Sequence, residues 1–313
     1  MSLIISSVEE LKKTVKINAS IPFEAVEPFL ITARDIYLER YLGVELIEVL
    51  ESDAVPERAS KLRLIVRKSL GPLAIWLGNA ELSVRFSDNG FTVSAEQGKN
   101  LAASETKITN VSDSLERRGF QYLDKVLEYL EENASEFPEW TESRYYSLRA
   151  GNYILSAKQF QEIGLVDIDY SRLTFETFRP LMSMIEKRFV TETLGAELDA
   201  TLRGKLNSAQ SAAELELITA IRQFVACKTA ELHTSKASKS QREASGTREY
   251  KPLIRPIYSD LANEGNFFTE QAIFYYNKVQ QILNKYAVEF GLEPFTPALY
   301  WNNEDRKIFN SMG

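Results

Sequence analysis

Histidine and cysteine are almost missing from this chain: His233 and Cys227 are the one example of each in 313 residues. A single cysteine excludes an internal disulfide and suits a reducing compartment. Cys227 lies in the apolar helical pattern AIRQFVACKTAEL and reads as a small buried hydrophobe. His233 stands near the polar end of the same pattern, with no carboxylate or cysteine at ligand spacing, so neither a metal site nor a histidine-based triad can be built around it locally. Neither GxGxxG nor GxxxxGK occurs, which removes the common phosphate-cradling loops. The paired acids Glu9–Glu10 and Glu131–Glu132 fall on helix faces expected to be exposed, where charge serves solubility. These gaps point away from an enzyme: no catalytic residue, metal ligand or cofactor site is expected.

Long apolar runs are missing as well. No stretch of about 18 apolar residues, the length a membrane helix needs, is present. The opening MSLIISSVEELKK has no basic flank, long apolar core or small-residue cleavage site, so the expectation is a protein of the cytoplasm that makes no membrane contact. Positive charge is in deficit: 37 Lys and Arg stand against 44 Asp and Glu, a net charge of -7, which argues against a surface that binds phosphate backbones everywhere. With 44% hydrophobic and 26% charged residues, the composition is that of a soluble globular protein.

What the chain does contain is a long internal echo. ERYLGVEL at 39–46 returns as TETLGAEL at 191–198, which puts Leu42, Gly43, Glu45 and Leu46 over Leu194, Gly195, Glu197 and Leu198 at an offset of 152. The same offset aligns Phe23, Glu24, Pro28 and Leu50 with Phe175, Glu176, Pro180 and Leu202, and sets Tyr37 against Phe189. Later, at an offset of 153, YLDKVLEYL at 122–130 lies over YYNKVQQIL at 275–283. The openings LIISSVEEL and YILSAKQF and the closing aromatic tails before Trp140 and Trp301 are alike too. So long a period belongs to a duplicated domain and not to a solenoid repeat. The fold class expected is mainly α: two tandem copies of one helical unit, at 1–143 and 153–313, joined by a linker at 144–152.

Local signals fill in each copy. Ser6 or Ser7 caps a short helix over 8–15. A helix over about 22–41 carries Phe29, Ala33, Ile36, Tyr37 and Tyr41 as one apolar stripe, and Gly43 stops it by reaching a left-handed backbone. The helix over about 58–82 is apolar nearly all round and is expected at the centre, kinked at Pro72. LSVRFSDNGFTVS at 82–94 alternates apolar and polar residues about Asn89 and Gly90, predicting a small β-hairpin inserted between helices of the first copy. A helix over about 112–133 closes the copy. The second copy repeats the order with helices over about 176–193, 196–206, 211–235 and 267–290. Where the hairpin stood, TSKASKSQREASGTREYKPLIR reads as a mobile, locally basic arm carrying Lys236, Lys239, Arg242, Arg248 and Lys251.

The opening ELKKTVKI, the amphipathic helix ending DIYLERYLG and the buried alanine- and leucine-rich helix together resemble the small helical head-to-tail connector proteins of tailed bacteriophages. YLDKVLEYLEENASEFPEW, SRLTFETFRPLMSMIEKRF and TLGAEL are similar to a family of unassigned function from phages and prophages of gut bacteria, over nearly the whole chain. The resemblance implies a virion structural protein, an adaptor that forms a ring with the portal and tail-completion proteins as partners, makes a passing contact with DNA, and moves from the host cytoplasm into the particle. Duplication departs from that pattern, since the small connectors carry one unit: two fused units would halve the number of chains in a ring, or one would build the ring while the other decorates it. Subunit contacts are then expected from the projecting features, namely Phe86, Asn89, Gly90 and Phe91 of the hairpin and the five basic residues of the arm. The alternative is a cytoplasmic helical protein-binding module that assembles nothing symmetric.

Overall fold

The computed structural model of the chain describes residues 3–16, 21–82, 85–87, 90–92, 105–147, 151–236, 255–256 and 264–293. It is mainly α and divides into two compact units, Met1–Arg149 and Ala150–Gly313.

Unit 1 begins with α1 (Val8–Lys12), whose start is closed by a reciprocal cap: the Ser7 hydroxyl accepts from the Glu10 N–H, and the Glu10 carboxylate accepts from the Ser6 N–H at 2.9 Å. Glu10 also meets Arg67 at 2.7 Å. It is therefore a tie between the N-terminal segment and the central helix, not the solvated surface acid expected of it. Helix α2 (Phe23–Ala33) runs without interruption into a π-helical turn, Arg34–Leu38, and then α3 (Glu39–Leu42). That wider turn shifts the helical register: Tyr37, Leu38, Tyr41 and Leu42 point into the core while Ile36, expected on the buried stripe, is 51% exposed. Gly43 joins α3 to α4 (Val44–Glu51) with φ 83° and ψ 158°. Its ψ is extended, so it occupies the mirror-β region open almost only to glycine and not the left-handed helical region expected.

The central helix is α5 (Glu57–Leu82), which continues through Pro72 and packs between α2 and α6 (Glu105–Glu132). Two small residues set these crossings. A Cβ on Gly78 would lie 2.6 Å from the Phe29 ring, and one on Gly119 would lie 2.6 Å from Leu73. At the crossing, Tyr37, Trp76 and Phe120 form a three-ring cluster with centroids 5.4 to 6.1 Å apart. The unit closes with α7 (Pro138–Thr141), whose Trp140 donates its indole N–H to the Tyr41 carbonyl at 3.1 Å, and α8 (Arg144–Ser147), whose Tyr145 ring meets Tyr41 edge-on. The first residues of the expected linker are thus part of unit 1.

Unit 2 opens with α9 (Ala157–Glu162), capped by Ser156 in the same reciprocal way: Ser156 accepts from the Gln159 N–H, and the Gln159 side chain accepts from the Leu155 N–H. Helix α10 (Arg172–Ile185) contains Pro180 and again runs into a π-helical turn, Glu186–Thr191, then α11 (Glu192–Leu194). Gly195, at φ 78° and ψ 153°, leads into α12 (Ala196–Gly204). Two long helices, α13 (Ala212–Lys236) and α14 (Glu264–Lys285), complete the unit around a core that includes Phe160, Phe178, Ile221, Val225 and Phe268. Cys227 is buried there, as its pattern predicts.

Among the described residues strand content is small. β1 (Arg85–Ser87) pairs antiparallel with β2 (Gly90–Thr92), Phe86 opposite Phe91 and Ser87 opposite Gly90. β3 (Val166–Asp167) pairs with β4 (Arg255–Pro256) in unit 2, which pairs Arg255, the last residue of the expected arm, with Asp167.

Candidate functional site

One charged cluster in the interior of unit 2 is built around a single guanidinium, apart from the buried Glu176–Arg179 and Lys228–Glu231 pairs. The turn from α10 into the π-helix places Glu186 inward, α12 presents Asp199 and Arg203 one helical turn apart, and the extended lead-in to α9 lays Gly151 and Tyr153 across both. Arg203 Nε donates to both Asp199 oxygens at 3.0 and 3.1 Å, and its Nη1 donates to Glu186 at 2.9 Å and to the Gly151 carbonyl. The remaining acceptors are filled by protein: the Tyr153 hydroxyl and the Thr191 hydroxyl donate to Asp199 at 2.7 and 2.8 Å, and the Tyr153 N–H donates to Glu186 at 2.9 Å. Arg203 lies over the Tyr153 ring at 4.5 Å, and Arg222 from α13 binds the Tyr153 carbonyl at 2.9 Å.

One cation serving two carboxylates leaves the cluster short of positive charge. Burial pushes the Glu186 carboxyl up to about 7 against the pull of Arg203. Burial and the Asp199 carboxylate push the Tyr153 phenol well above its ordinary range. A carboxyl that titrates near neutrality is often a catalytic base. Here it is 1% exposed and its oxygens are engaged by Tyr153 and Arg203, so the arrangement fastens the N-terminal segment of the unit to its π-turn.

Unit 1 has the same fastening in reduced form. Arg34, first residue of its π-turn, donates to Glu51 at 3.0 and 3.2 Å, and Arg67 Nε binds the Ile4 carbonyl at 2.7 Å as Arg222 binds that of Tyr153. Arg34 and Glu51 are 17 residues apart, as are Glu186 and Arg203, and the offset of 152 superposes the two pairs with their charges exchanged.

No local sequence motif marks this cluster. Its members are spread over some fifty residues as isolated polar positions, and the signal that points to it is the repeat frame itself, in which an Arg–Glu pair becomes a Glu–Arg pair. Of the residues expected to make subunit contacts, Phe86, Gly90 and Phe91 lie on β1 and β2, and Lys236 ends α13. Asn89, Lys239, Arg242, Arg248 and Lys251 lie outside the described residues. The two groups belong to different units and are not assembled into one site within either. Glu45 and Glu197 stand exposed in the first turns of α4 and α12, where a carboxylate favours the helix dipole.

The structure thus defines a mainly α protein of two units. Residues 38–150 match the model of a family of unknown function, DUF6712, a segment that runs from the end of the first π-turn to the close of unit 1. No curated protein and no solved structure matches the chain. Among the described residues no helix is long and apolar enough to cross a membrane.

Proposed function

We propose that the chain is a tandem duplication of one helical unit, with a β-hairpin between helices of the first copy, and that it acts as a head–tail connector component of a tailed-phage particle, without catalysing a reaction. The observation that carries the duplication is the paired frame. In each unit a serine-capped short helix, a proline-bearing helix, a π-turn and a glycine in the mirror-β region come in the same order, and an arginine of the long central helix binds the carbonyl just before the cap. The resemblance of the opening helices to small connectors supplies the assembly role. On this reading the partners are portal and tail-completion proteins and further copies of the chain, and the protein passes from host cytoplasm to virion.

Mass spectrometry of purified phage-like particles, scaled to the major capsid protein, tests it. Recovery at a few per cent of capsid copies supports a ring component, whereas particles that form without the chain sink the connector reading and leave a helical protein-binding module.

A further inference from the structure

Unit 1 carries two exposed clusters beside apolar side chains, one of lysines, bordered at one end by Glu57 and Glu132, and one of carboxylates. Along α5 and α6, which run antiparallel, Lys61 lies over the Tyr129 ring at 4.9 Å, and Lys68 and Lys125 lie over the Tyr122 ring at 5.6 and 5.3 Å. Spacings of three and four residues place Leu64 between Lys61 and Lys68 on the same side of α5, and Leu64 is 58% exposed. Lys61, Lys68 and Lys125 make no ion pair among the described residues, and their stems cover tyrosine rings.

The second face surrounds the Gly43 joint. Ile36, 51% exposed, has the exposed acid Glu39 three residues on, and Val44, 47% exposed, has Glu45 beside it and Glu48 one helical turn on, again without an ion pair among the described residues. The one exposed cation of α3 and α4, Arg40, is drawn over the Tyr41 ring at 5.5 Å.

Unit 2 keeps only part of each face at the matching positions. Lys61, Leu64 and Lys68 correspond to Glu216, Thr219 and Gln223 at the offset of 155 that starts α5 and α13 together, and Val44 and Glu48 correspond to Ala196 and Ala200. Tyr122, Lys125 and Glu45 do recur, as Tyr275, Lys278 and Glu197, with Lys278 over the Tyr275 ring at 5.8 Å. Packing of the unit therefore does not require Lys61, Leu64, Lys68, Val44 or Glu48.

We propose that these faces meet between copies: the Lys61–Leu64–Lys68 and Tyr122–Lys125–Tyr129 face of one chain docks on the Ile36–Glu39–Val44–Glu45–Glu48 face of unit 1 in a second. The partner is a further copy because the acid-rimmed apolar complement of the basic face is present on the same unit. Since the two faces differ, the contact is heterologous and propagates head to tail. The inference rests on the assembly reading above and assigns its contact to unit 1.

Analytical ultracentrifugation of the full chain tests it, using the variants K61E/K68E/K125E and E39K/E45K/E48K with folding checked by circular dichroism. Wild type is expected to self-associate with a dissociation constant of about 100 µM or tighter. Each triple variant alone should weaken this by about tenfold or more, and an equimolar mixture of the two should restore it, since each then presents the charge the other needs. Leu64→Ser should weaken association without changing its salt dependence. A monomeric wild type, variants that associate as wild type does, or a mixture that fails to recover would each overturn the proposal. Association of this kind by a chain absent from particles would instead sink the connector reading and leave the contact standing.

Discussion

Gly43 and Gly195 make the same backbone turn under different neighbours. A side chain at either must adopt a conformation that costs about 1–3 kcal/mol. At Gly43 a Cβ would also sit 3.0 Å from the Ser143 Cβ, whereas at Gly195 nothing lies within 4 Å. Urea unfolding should therefore show both Gly43→Ala and Gly195→Ala destabilised, with Gly43→Ala the worse. Glu186 makes a second prediction at this scale. Its carboxyl is raised from 4.5 to about 7 in the folded chain, so the fold holds that proton more tightly than the unfolded chain does. The stability it contributes is full below about pH 4.5 and is lost as pH rises through about 7. Comparing denaturant midpoints across that window, Glu186→Gln should show a flatter decline than wild type. Cys227, whose thiol burial pushes up to about 12, should react with thiol reagents only as the protein unfolds. Its burial was legible in AIRQFVACKTAEL, because Phe224, Val225, Ala226 and Ala230 stand next to it or one helical turn away. The partners of Glu186 were not legible, because Tyr153, Asp199 and Arg203 come to it from separate segments.

Among elements, the π-turns are what the periodicity of the sequence did not foretell. Helix positions are set by apolar spacing, and the helices stand close to where that spacing put them. A turn that takes in one more residue leaves composition and propensity unchanged, and its consequence, Ile36 turned outward, emerges only from the packed structure. Each π-turn is tied to the helix after its glycine by an ion pair, which yields a test at the same scale. Arg34→Glu alone places two carboxylates together with Glu51 nearly buried, and should cost about 2 kcal/mol or more. The double reversal R34E/E51R reproduces the polarity found at Glu186 and Arg203, and thermal melts should place it within about 1 kcal/mol of wild type.

For the molecule as a whole, the chain divides into two compact units, and the duplication proposed above starts from Gly, Pro and aromatic positions that recur in one frame of the sequence. Two of the three tryptophans, Trp76 and Trp140, are buried in unit 1, so in a Trp301→Phe background indole fluorescence reports on that half while far-ultraviolet circular dichroism reports on both. Gly43→Ala should lower the fluorescence midpoint and split it from the dichroism transition, and Gly195→Ala should leave the fluorescence midpoint in place. Equal shifts of both probes in both variants would mean that the units unfold as one.

The exchanged polarity of the Arg34–Glu51 and Glu186–Arg203 pairs has a genetic consequence. Tandem copies in a gene tend to collapse into one by unequal crossing over. An exchange falling between the codons of such a pair would join Arg34 to Arg203, or Glu186 to Glu51, and the hybrid half would carry two like charges where its π-turn must close. A hybrid of that kind should lose about 2 kcal/mol or more of stability, as Arg34→Glu does. Under the duplication proposed above, the opposite polarities would disfavour collapse to a single copy within that stretch.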